Sequence, residues 1–291
     1  MPSHASSAAA ASAISDRVET ALALRARGRL RDALDLLSEQ EDYSQDVYTL
    51  RGDLQLELGQ IHEAVGSYST VTAFERHNTY AQHHLALSLC RLQLWEAAAE
   101  AFQRVLAHDS YSDQAHIRLG NCLLHMNRPE EALSCFEACW SESARLPALF
   151  GKAVAVQLLR RFDEAEVLYE QVLELDSRFE EALSNLIAMS MEVLDLSKVQ
   201  HYSLRLLEIC PQSTTALQGL TLVAFERREF ENAAGYFADL MENTPNGKPQ
   251  HSDSDGDAIE YRLNGDDVAR LSRILRTRAP AGNDIAGRRS F

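Results

Sequence analysis

The sequence predicts an all-α chain of stacked antiparallel helix pairs, and three observations support this prediction. Gly and Pro are scarce, with 13 and 7 among 291 residues, whereas all-β folds need a turn roughly every eight to twelve residues. Small residues recur at intervals of 31 to 34 residues. A large, mostly aromatic residue follows most of them four positions later. Repeats of this length indicate units of two helices joined by short turns.

Four columns of residues, with one member in each unit, define the repeat. The first column contains the small residue of each second helix: Ala33, Ala64, Ala98, Ala132, Ala165, Val199 and Ala233. The second column lies twelve residues upstream: Ala21, Gly52, Ala86, Gly120, Ala153, Ile187 and Thr221. The third lies four residues downstream: Leu37, Tyr68, Phe102, Phe136, Tyr169, Ser203 and Phe237. The fourth marks the turn: Leu30, Ile61, Trp95, Pro129, Phe162, Leu196 and Phe230.

Each column has a physical role in a helix pair. Small residues allow the two backbones to approach where the helices cross, and the large residue one turn later fills the space toward the next unit. In the fourth unit, Pro129 suits a first helical turn, and Glu130 and Glu131 suit the positive end of the helix dipole. Pro147 and Pro211 are expected to lie between units, because proline ends helices more readily than it continues them.

Two units depart from the pattern. The first unit, around Leu30, is three residues short of the usual spacing to the second, so we expect it to act as an N-terminal cap. The sixth unit has Ile187, Val199 and Ser203 where the other units mostly have a smaller residue, alanine and a large residue. We expect its helices to cross at a wider spacing, with a bend in the stack at this point.

The four columns together resemble the tetratricopeptide repeat, over roughly residues 14–246. The likeness is strongest in residues 80–109, 115–139, 146–176 and 215–245. It implies a right-handed α-solenoid of seven units, whose first helices line a concave groove that holds a protein partner. The expected organisation is a disordered segment at residues 1–13, the solenoid at residues 14–246 and a flexible tail at residues 247–291. A short basic amphipathic helix is expected within that tail, near residues 266–278.

The charge balance favours some classes of partner and excludes others. The formal net charge is −15, and since residues 241–291 hold equal numbers of acids and bases, the excess lies in residues 1–240. Such a field repels phosphate backbones, so nucleic-acid binding is not expected. No apolar run is long enough to span a membrane, and the N-terminus lacks the features of a signal peptide. We therefore expect a cytoplasmic protein.

Residues that could carry chemistry show no catalytic pattern. Cys122, His125, Cys135 and Cys139 are of types that bind zinc, but Cys122 and Cys139 occupy positions where the repeat places small apolar residues. The acidic run at residues 253–257 departs from the spacing of a calcium loop. No nucleophile, metalloprotease or phosphate-binding motif is present. The sequence therefore predicts neither an enzyme nor a cofactor.

The predicted binding site lies on the first helices of the middle units. Helical phase places these side chains toward the groove: Tyr80, His83, Arg91, Gln114, Arg118, Asn121, His125, Phe150 and Gln157. Arg91, Arg118 and Asn121 are suited to an acidic or carboxylate-ending segment. Tetratricopeptide co-chaperones hold such a carboxylate with a Lys/Asn/Arg clamp, but only Arg118 and Asn121 match it here. Ile117 stands where the clamp has a cation, which argues against a heat-shock chaperone clamp.

The predicted function is a non-catalytic adaptor or scaffold that holds a partner segment in the groove. The alternatives are a regulatory subunit of a larger enzyme, transport or ciliary complex, a homo-oligomeric shell protein and, as a more remote reading, a metal-dependent enzyme. The tail helix has three possible roles: docking on the solenoid, ordering with a partner or lying on a membrane.

Overall fold

The structure is a computed structural model that describes residues 4–38 and 44–243. These residues form fourteen helices and no strand. The helices are α1 (His4–Ala26), α2 (Leu30–Ser38), α3 (Gln45–Glu57), α4 (Ile61–Phe74), α5 (Thr79–Arg91), α6 (Trp95–His108), α7 (Asp113–His125), α8 (Pro129–Glu137), α9 (Glu142–Leu158), α10 (Phe162–Leu175), α11 (Glu180–Glu192), α12 (Leu196–Ile209), α13 (Thr214–Glu226) and α14 (Phe230–Glu242). The predicted tail, with its helix near residues 266–278, lies outside the described residues.

The described residues belong to two compact units, divided after Leu159. In the first unit, α1 to α8 form four successive pairs, and α9 packs on α8 and on α7. In the second unit, α10 packs on α11, and the pairs α11/α12 and α13/α14 follow. Within each unit the fold is the predicted all-α solenoid of helix pairs.

The core of each unit consists of the predicted columns. Every residue of the first column has 0% of its side chain exposed. The second column is buried throughout, and the third is buried from Leu37 to Ser203, with Phe237 half-buried. The helices therefore cross where the sequence predicts, with the small residue of one helix against its partner.

The turns between the two helices of each pair have the same backbone conformation at the same position. Each second helix begins at the residue of the fourth column, from Leu30 to Phe230. Two residues before each of these helices, the chain has a left-handed backbone conformation, at Gly28, Gly59, Gln93, Asn127, Arg160, Leu194 and Arg228. Glycine adopts that conformation without steric cost, and the first two turns use it. The other five turns place a side chain there, at the cost of backbone strain.

Two helix boundaries differ from the sequence-based expectation. Pro147, expected between units, lies inside α9, the longest of the helices after α1 at 17 residues. The extra N-terminal turn of α9 places the proline early in the helix, where its missing N–H removes one backbone hydrogen bond without ending the helix. At the other end of the chain, α1 begins at His4, before the expected start of the solenoid at residue 14.

Candidate functional site

The candidate site is carried by three first helices of the first unit, α5, α7 and α9. Two of them begin with the same cap, in which the Asn78 side chain accepts a hydrogen bond from the Ala81 N–H at 2.8 Å and the Ser112 hydroxyl accepts one from the Ala115 N–H at 3.4 Å. These caps satisfy amide groups that the helix leaves without partners. They fix the start, and hence the facing, of each helix.

Asp113 ties the start of α7 to the start of α9. Its carboxylate accepts the backbone N–H groups of Trp140 at 3.1 Å and Ser141 at 2.9 Å. Desolvation opposes ionisation of this carboxyl, but the hydrogen bonds from Ser141 and Trp140 outweigh it, so the pKa of Asp113 lies below its ordinary value. The one acidic residue of α7 is therefore occupied in holding the loop before α9.

These three helices form a basic sector in an acidic chain. α5 contains no Asp or Glu, and α7 and α9 contain one each, Asp113 and Glu142, both in the first turn. The same helices carry Arg91, Arg118, Arg145 and Lys152, together with four histidines. The second helix α8, by contrast, exposes Glu130, Glu131 and Glu137 and has no cation. We call the surface of α5, α7 and α9 the basic sector.

The predicted site residues differ in how much surface they offer. Tyr80, Arg91 and Gln114 are exposed, whereas His83, Arg118, Asn121, His125 and Phe150 are half-buried. Gln157 is only 8% exposed, so it presents little surface to a partner. The nine predicted residues thus divide into eight that are at least partly accessible and one that belongs to the interior.

Tyr80 is held by a polar cluster that the sequence did not reveal. Its hydroxyl donates to Asp53 Oδ1 at 3.0 Å, and the Tyr68 hydroxyl donates to the same oxygen at 2.6 Å. Arg25 completes the cluster, 3.6 Å from Asp53 Oδ2 and paired with Glu57. Burial, the charge of Asp53 and the hydrogen bond to it raise the pKa of Tyr80 to about 12. The tyrosine therefore stays neutral and oriented toward α3.

Two histidines line the junction between Tyr80 and Arg118. The His84 ring lies 4.2 Å from the Tyr80 ring and stacks on Tyr68 at 5.6 Å, centroid to centroid. Desolvation, followed by the charges of His84 and Arg118, lowers the pKa of His83. Desolvation also lowers the pKa of His84, against the influence of Asp53. Both rings are therefore predominantly neutral at pH 7, and His83 lies within electrostatic reach of the Arg118 guanidinium.

His125 is fixed by stacking at the end of α7. Its ring lies parallel to the indole of Trp95, with centroids 3.9 Å apart and planes at 5°. Trp95 is the first residue of α6, so the stack joins two successive pairs. The turn column predicted the location of Trp95, but nothing in the sequence indicated that it contacts His125.

The cysteine residues of the fourth pair and its neighbour Cys90 contact sulfur and carbonyl groups. Cys122 is 1% exposed and lies 3.5 Å from Cys90, Sγ to Sγ. The Cys139 thiol donates weakly toward the carbonyl oxygens of Asp113 at 3.8 Å and Cys135 at 3.7 Å. Across residues 4–38 and 44–243, no group of three or more His, Cys, Asp or Glu side chains is placed to hold a metal ion.

Membrane spanning was also tested on the helices. Of those in the described part of the chain, none combines the length and the apolar character that crossing a membrane requires.

Comparisons with known proteins agree on the repeat. Two models of the tetratricopeptide repeat match residues 49–113 and 93–143, and a model of the coatomer epsilon subunit matches residues 137–238. The general transcriptional corepressor trfA of Dictyostelium discoideum is 25% identical over 147 residues, 48% of this chain. The match spans only a tenth of the length of that curated relative.

Solved structures show the same fold at low sequence identity. A tetratricopeptide repeat protein from Parabacteroides merdae superposes with a TM-score of 0.63 at 14% identity, over 90% of this chain and 98% of that one. YrrB, described as a tetratricopeptide protein with an unusual peptide-binding site, superposes with a TM-score of 0.52 at 17% identity, over 65% of this chain and 96% of that one. The family models therefore show tetratricopeptide repeats in residues 49–143, and the solved structures show that the described helices share the fold of tetratricopeptide repeat proteins.

Proposed function

We propose that the chain is a non-catalytic adaptor whose basic sector holds an acidic segment of a partner protein. The family and the fold support a protein-interaction role in general. The observation that carries the finer proposal is the distribution of charge: the chain has a net charge of −15, yet α5, α7 and α9 together carry more cations than acids. An acidic segment is repelled by the rest of the protein and attracted here.

Three side chains are suited to hold such a segment. Arg91 is exposed at the last turn of α5, and Arg118 and Asn121 lie one helical turn apart on α7. Guanidinium groups bind carboxylates through paired hydrogen bonds, and the Asn121 amide offers a donor and an acceptor to an extended backbone. His83, neutral and beside Arg118, leaves that guanidinium as the dominant charge at the centre of the sector.

The binding surface is tested with a peptide probe. Fluorescence anisotropy with a labelled ten-residue peptide of alternating Glu and Ser measures the affinity. We expect Arg118→Ala combined with Asn121→Ala to weaken binding by about 2 kcal/mol, roughly 30-fold, because binding energy concentrates in a few central residues. Affinity for the wild-type protein should also fall as salt is raised.

The control is Glu137→Ala on α8, which removes an exposed charge outside the basic sector. Circular dichroism confirms that each variant keeps its helical content. A matched peptide of Lys and Ser is attracted to the acidic remainder of the chain, so any affinity it shows should be the same for the wild type and the double variant. Equal affinity of the double variant and the control for the acidic peptide would refute the assignment of the sector.

A second candidate function is that of a subunit in a larger complex. The match of residues 137–238 to the coatomer epsilon subunit favours it, because that region includes most of the second unit and lies largely outside the proposed site. Native mass spectrometry after affinity purification distinguishes the two. A stable complex of fixed stoichiometry that survives the Arg118→Ala, Asn121→Ala change favours the subunit, whereas loss of the partner favours the adaptor.

A further inference from the structure

Two cysteines of successive first helices approach each other closely beside the basic sector. Cys90 lies in the last turn of α5 and Cys122 in the second half of α7, and their sulfurs are 3.5 Å apart. Both are present as thiols. Neither sulfur has a role in the proposed peptide site, so the approach of the two groups is a separate feature of the structure.

The two sulfurs are in van der Waals contact. A disulfide requires a sulfur–sulfur distance of about 2.05 Å, so the two sulfurs need to approach by about 1.5 Å. The two cysteines also differ in access: Cys90 is half-buried, whereas Cys122 is 1% exposed. Solvent therefore reaches one member of the pair, and the other is shielded next to it. An accessible thiol in contact with a second thiol matches the access and proximity that a peroxide-reactive cysteine and its resolving partner need.

The chain also contains two nearby cysteines, Cys135 and Cys139, that show no such sulfur–sulfur contact and serve as a comparison pair. Cys135 lies in the last turn of α8 and Cys139 two residues beyond its end, and burial raises the pKa of each thiol to about 11. Cys139 points toward carbonyl oxygens of Asp113 and Cys135 rather than toward another sulfur. Since the thiolate is the reactive form, these two groups are poor nucleophiles at neutral pH.

We propose that Cys90 and Cys122 form a reversible disulfide when the protein meets a hydroperoxide. The Cys90 thiolate attacks the distal oxygen of the peroxide; the O–O bond breaks, the alcohol or water leaves with a proton, and a sulfenic acid remains on Cys90. The Cys122 sulfur then attacks the Cys90 sulfur, the S–O bond breaks and water leaves with the remaining proton. Two thiols are oxidised, the peroxide is reduced, and a dithiol reductant reverses the change.

The bond would join the two helices that carry the central cations of the basic sector. Arg91 directly follows Cys90, and Asn121 directly precedes Cys122. Linking the sulfurs therefore fixes the spacing of α5 and α7 beside these side chains. The proposal itself does not depend on what the sector binds, because it concerns bond formation alone.

The experiment maps the bond in the full chain. Reduced protein is treated with a few equivalents of hydrogen peroxide, residual thiols are blocked with N-ethylmaleimide at low pH, and the protein is digested without reduction. Trypsin releases Cys90 in residues 77–91, and trypsin with a glutamyl endopeptidase releases Cys122 in residues 119–130, apart from Cys135 and Cys139. We expect a linked peptide whose mass equals the sum of the two less two hydrogens, and its disappearance after dithiothreitol.

Variants exclude other pairings. Cys135→Ser combined with Cys139→Ser should leave the linked peptide at its wild-type yield, and Cys90→Ser should abolish it. Recovery of both wild-type peptides carrying the maleimide, a link from Cys90 to Cys135 or Cys139 instead, or accumulation of sulfinic acid on Cys90 without a link would each overturn the proposal.

Discussion

The helix pairs α7/α8 and α11/α12 fill the same crossing with opposite residues. In α7/α8 the glycine of the second column faces a phenylalanine, and a Cβ placed on Gly120 would lie 2.6 Å from Phe136 Cζ. In α11/α12 the large residue is Ile187 and the small one is Ser203, and both are completely buried. The two crossings therefore contain about the same total side-chain volume. The larger residue comes from the second helix in α7/α8 and from the first helix in α11/α12.

The next first helix takes part in each case. Gly151 on α9 also faces Phe136, with a Cβ there 2.4 Å from Phe136 Cε1. Gly219 on α13 plays the corresponding part beside Ser203, since a Cβ there would lie 2.4 Å from Ser203 Oγ and 3.2 Å from Ile187 Cγ2. In both crossings, therefore, a glycine of the following first helix packs against the third-column residue. The space around Ser203 is already filled by Ile187 and by the backbone at Gly219.

The largest expected effect is from removing the aromatic ring of the α7/α8 crossing. Phe136→Ala should lower the free energy of unfolding by about 3–5 kcal/mol, because glycines on both neighbouring helices leave the cavity with little to fill it. Chemical denaturation monitored by circular dichroism measures the change. Trp140→Ala is the control: its side chain is 72% exposed and its loss should cost less than about 0.5 kcal/mol. Similar losses for both would contradict the packing described.

Placing a phenylalanine at position 203 of α12, as α8 has at position 136, tests whether residues 187 and 203 share one packing space. Ser203→Phe should cost about 1–3 kcal/mol or more through overpacking against Ile187 and Gly219. Ile187→Ala makes room for the ring, so the double variant should be more stable than the sum of the single changes predicts, by about 1–3 kcal/mol. Strictly additive losses in a double-mutant cycle would show that the two residues do not share one space.

A further difference lies in the histidines of the first helices, which give α5 and α7 a pH dependence that α11 and α13 lack. α5 and α7 contain four histidines, and α11 and α13 contain none. Desolvation is the largest influence that lowers the pKa values of His83 and His84 in the folded protein. The unfolded chain then binds more protons, so the stability is complete above the unfolded value of about 6.5 and is lost as the pH falls through the lowered folded value.

Thermal unfolding between pH 7.5 and pH 5.0 measures this dependence. The melting temperature should fall over this range, and His83→Gln combined with His84→Gln should flatten the fall. His62→Gln, an exposed position on α4, is the control and should leave the slope unchanged. The lowered pKa of Asp113 affects stability at more acidic pH, so it does not confuse the result. An unchanged slope in the double variant would refute the assignment.

The smallest expected effect is at the hydroxyl of Ser203. Among the described residues its Oγ is buried without a hydrogen-bond partner, so Ser203→Ala should be neutral or stabilising by up to about 1 kcal/mol. Ser67→Ala is the matched control, because that buried hydroxyl donates to Gln55 Oε1 at 2.7 Å, and its loss should cost about 1–2 kcal/mol. A larger loss at Ser203 than at Ser67 would indicate a partner for Ser203 that the structure lacks.

The repeat made most of the fold predictable from sequence. The columns located the helix crossings and the first residue of every second helix, because small residues and turn residues must recur wherever the same pair is built again. Pro147 was misplaced because proline early in a helix and proline between helices look alike in sequence. The expected wider crossing at Ile187 stays a prediction, although the exchange of volume with Ser203 supplies a way to avoid it.

The candidate site was less predictable, since its contacts join residues from different repeats. The cluster around Asp53 draws on four helices, through Arg25, Tyr68 and Tyr80, and no local pattern shows such a meeting. The approach of Cys90 to Cys122 did have a signal: their separation of 32 residues is close to one repeat, which places them at nearly equivalent positions on neighbouring first helices. The nine site residues stay a prediction, and the peptide experiment tests the two at its centre, Arg118 and Asn121.

The left-handed residue before each second helix offers a route to engineering a thermostable variant. Leu194 has that conformation with a φ of 57° and is 66% exposed, so glycine there would relieve strain without removing buried surface. Arg228 occupies an equivalent position. Arg160 does too, but its side chain pairs with Glu192 and lies over the Phe162 ring, so glycine there would lose both contacts. The strain relieved, about 1–2 kcal/mol, exceeds the roughly 0.4–1 kcal/mol lost because glycine loosens the unfolded chain. Because Leu194 and Arg228 belong to different repeats, their gains should accumulate, and neither position lies on α5, α7 or α9, which carry the proposed peptide site.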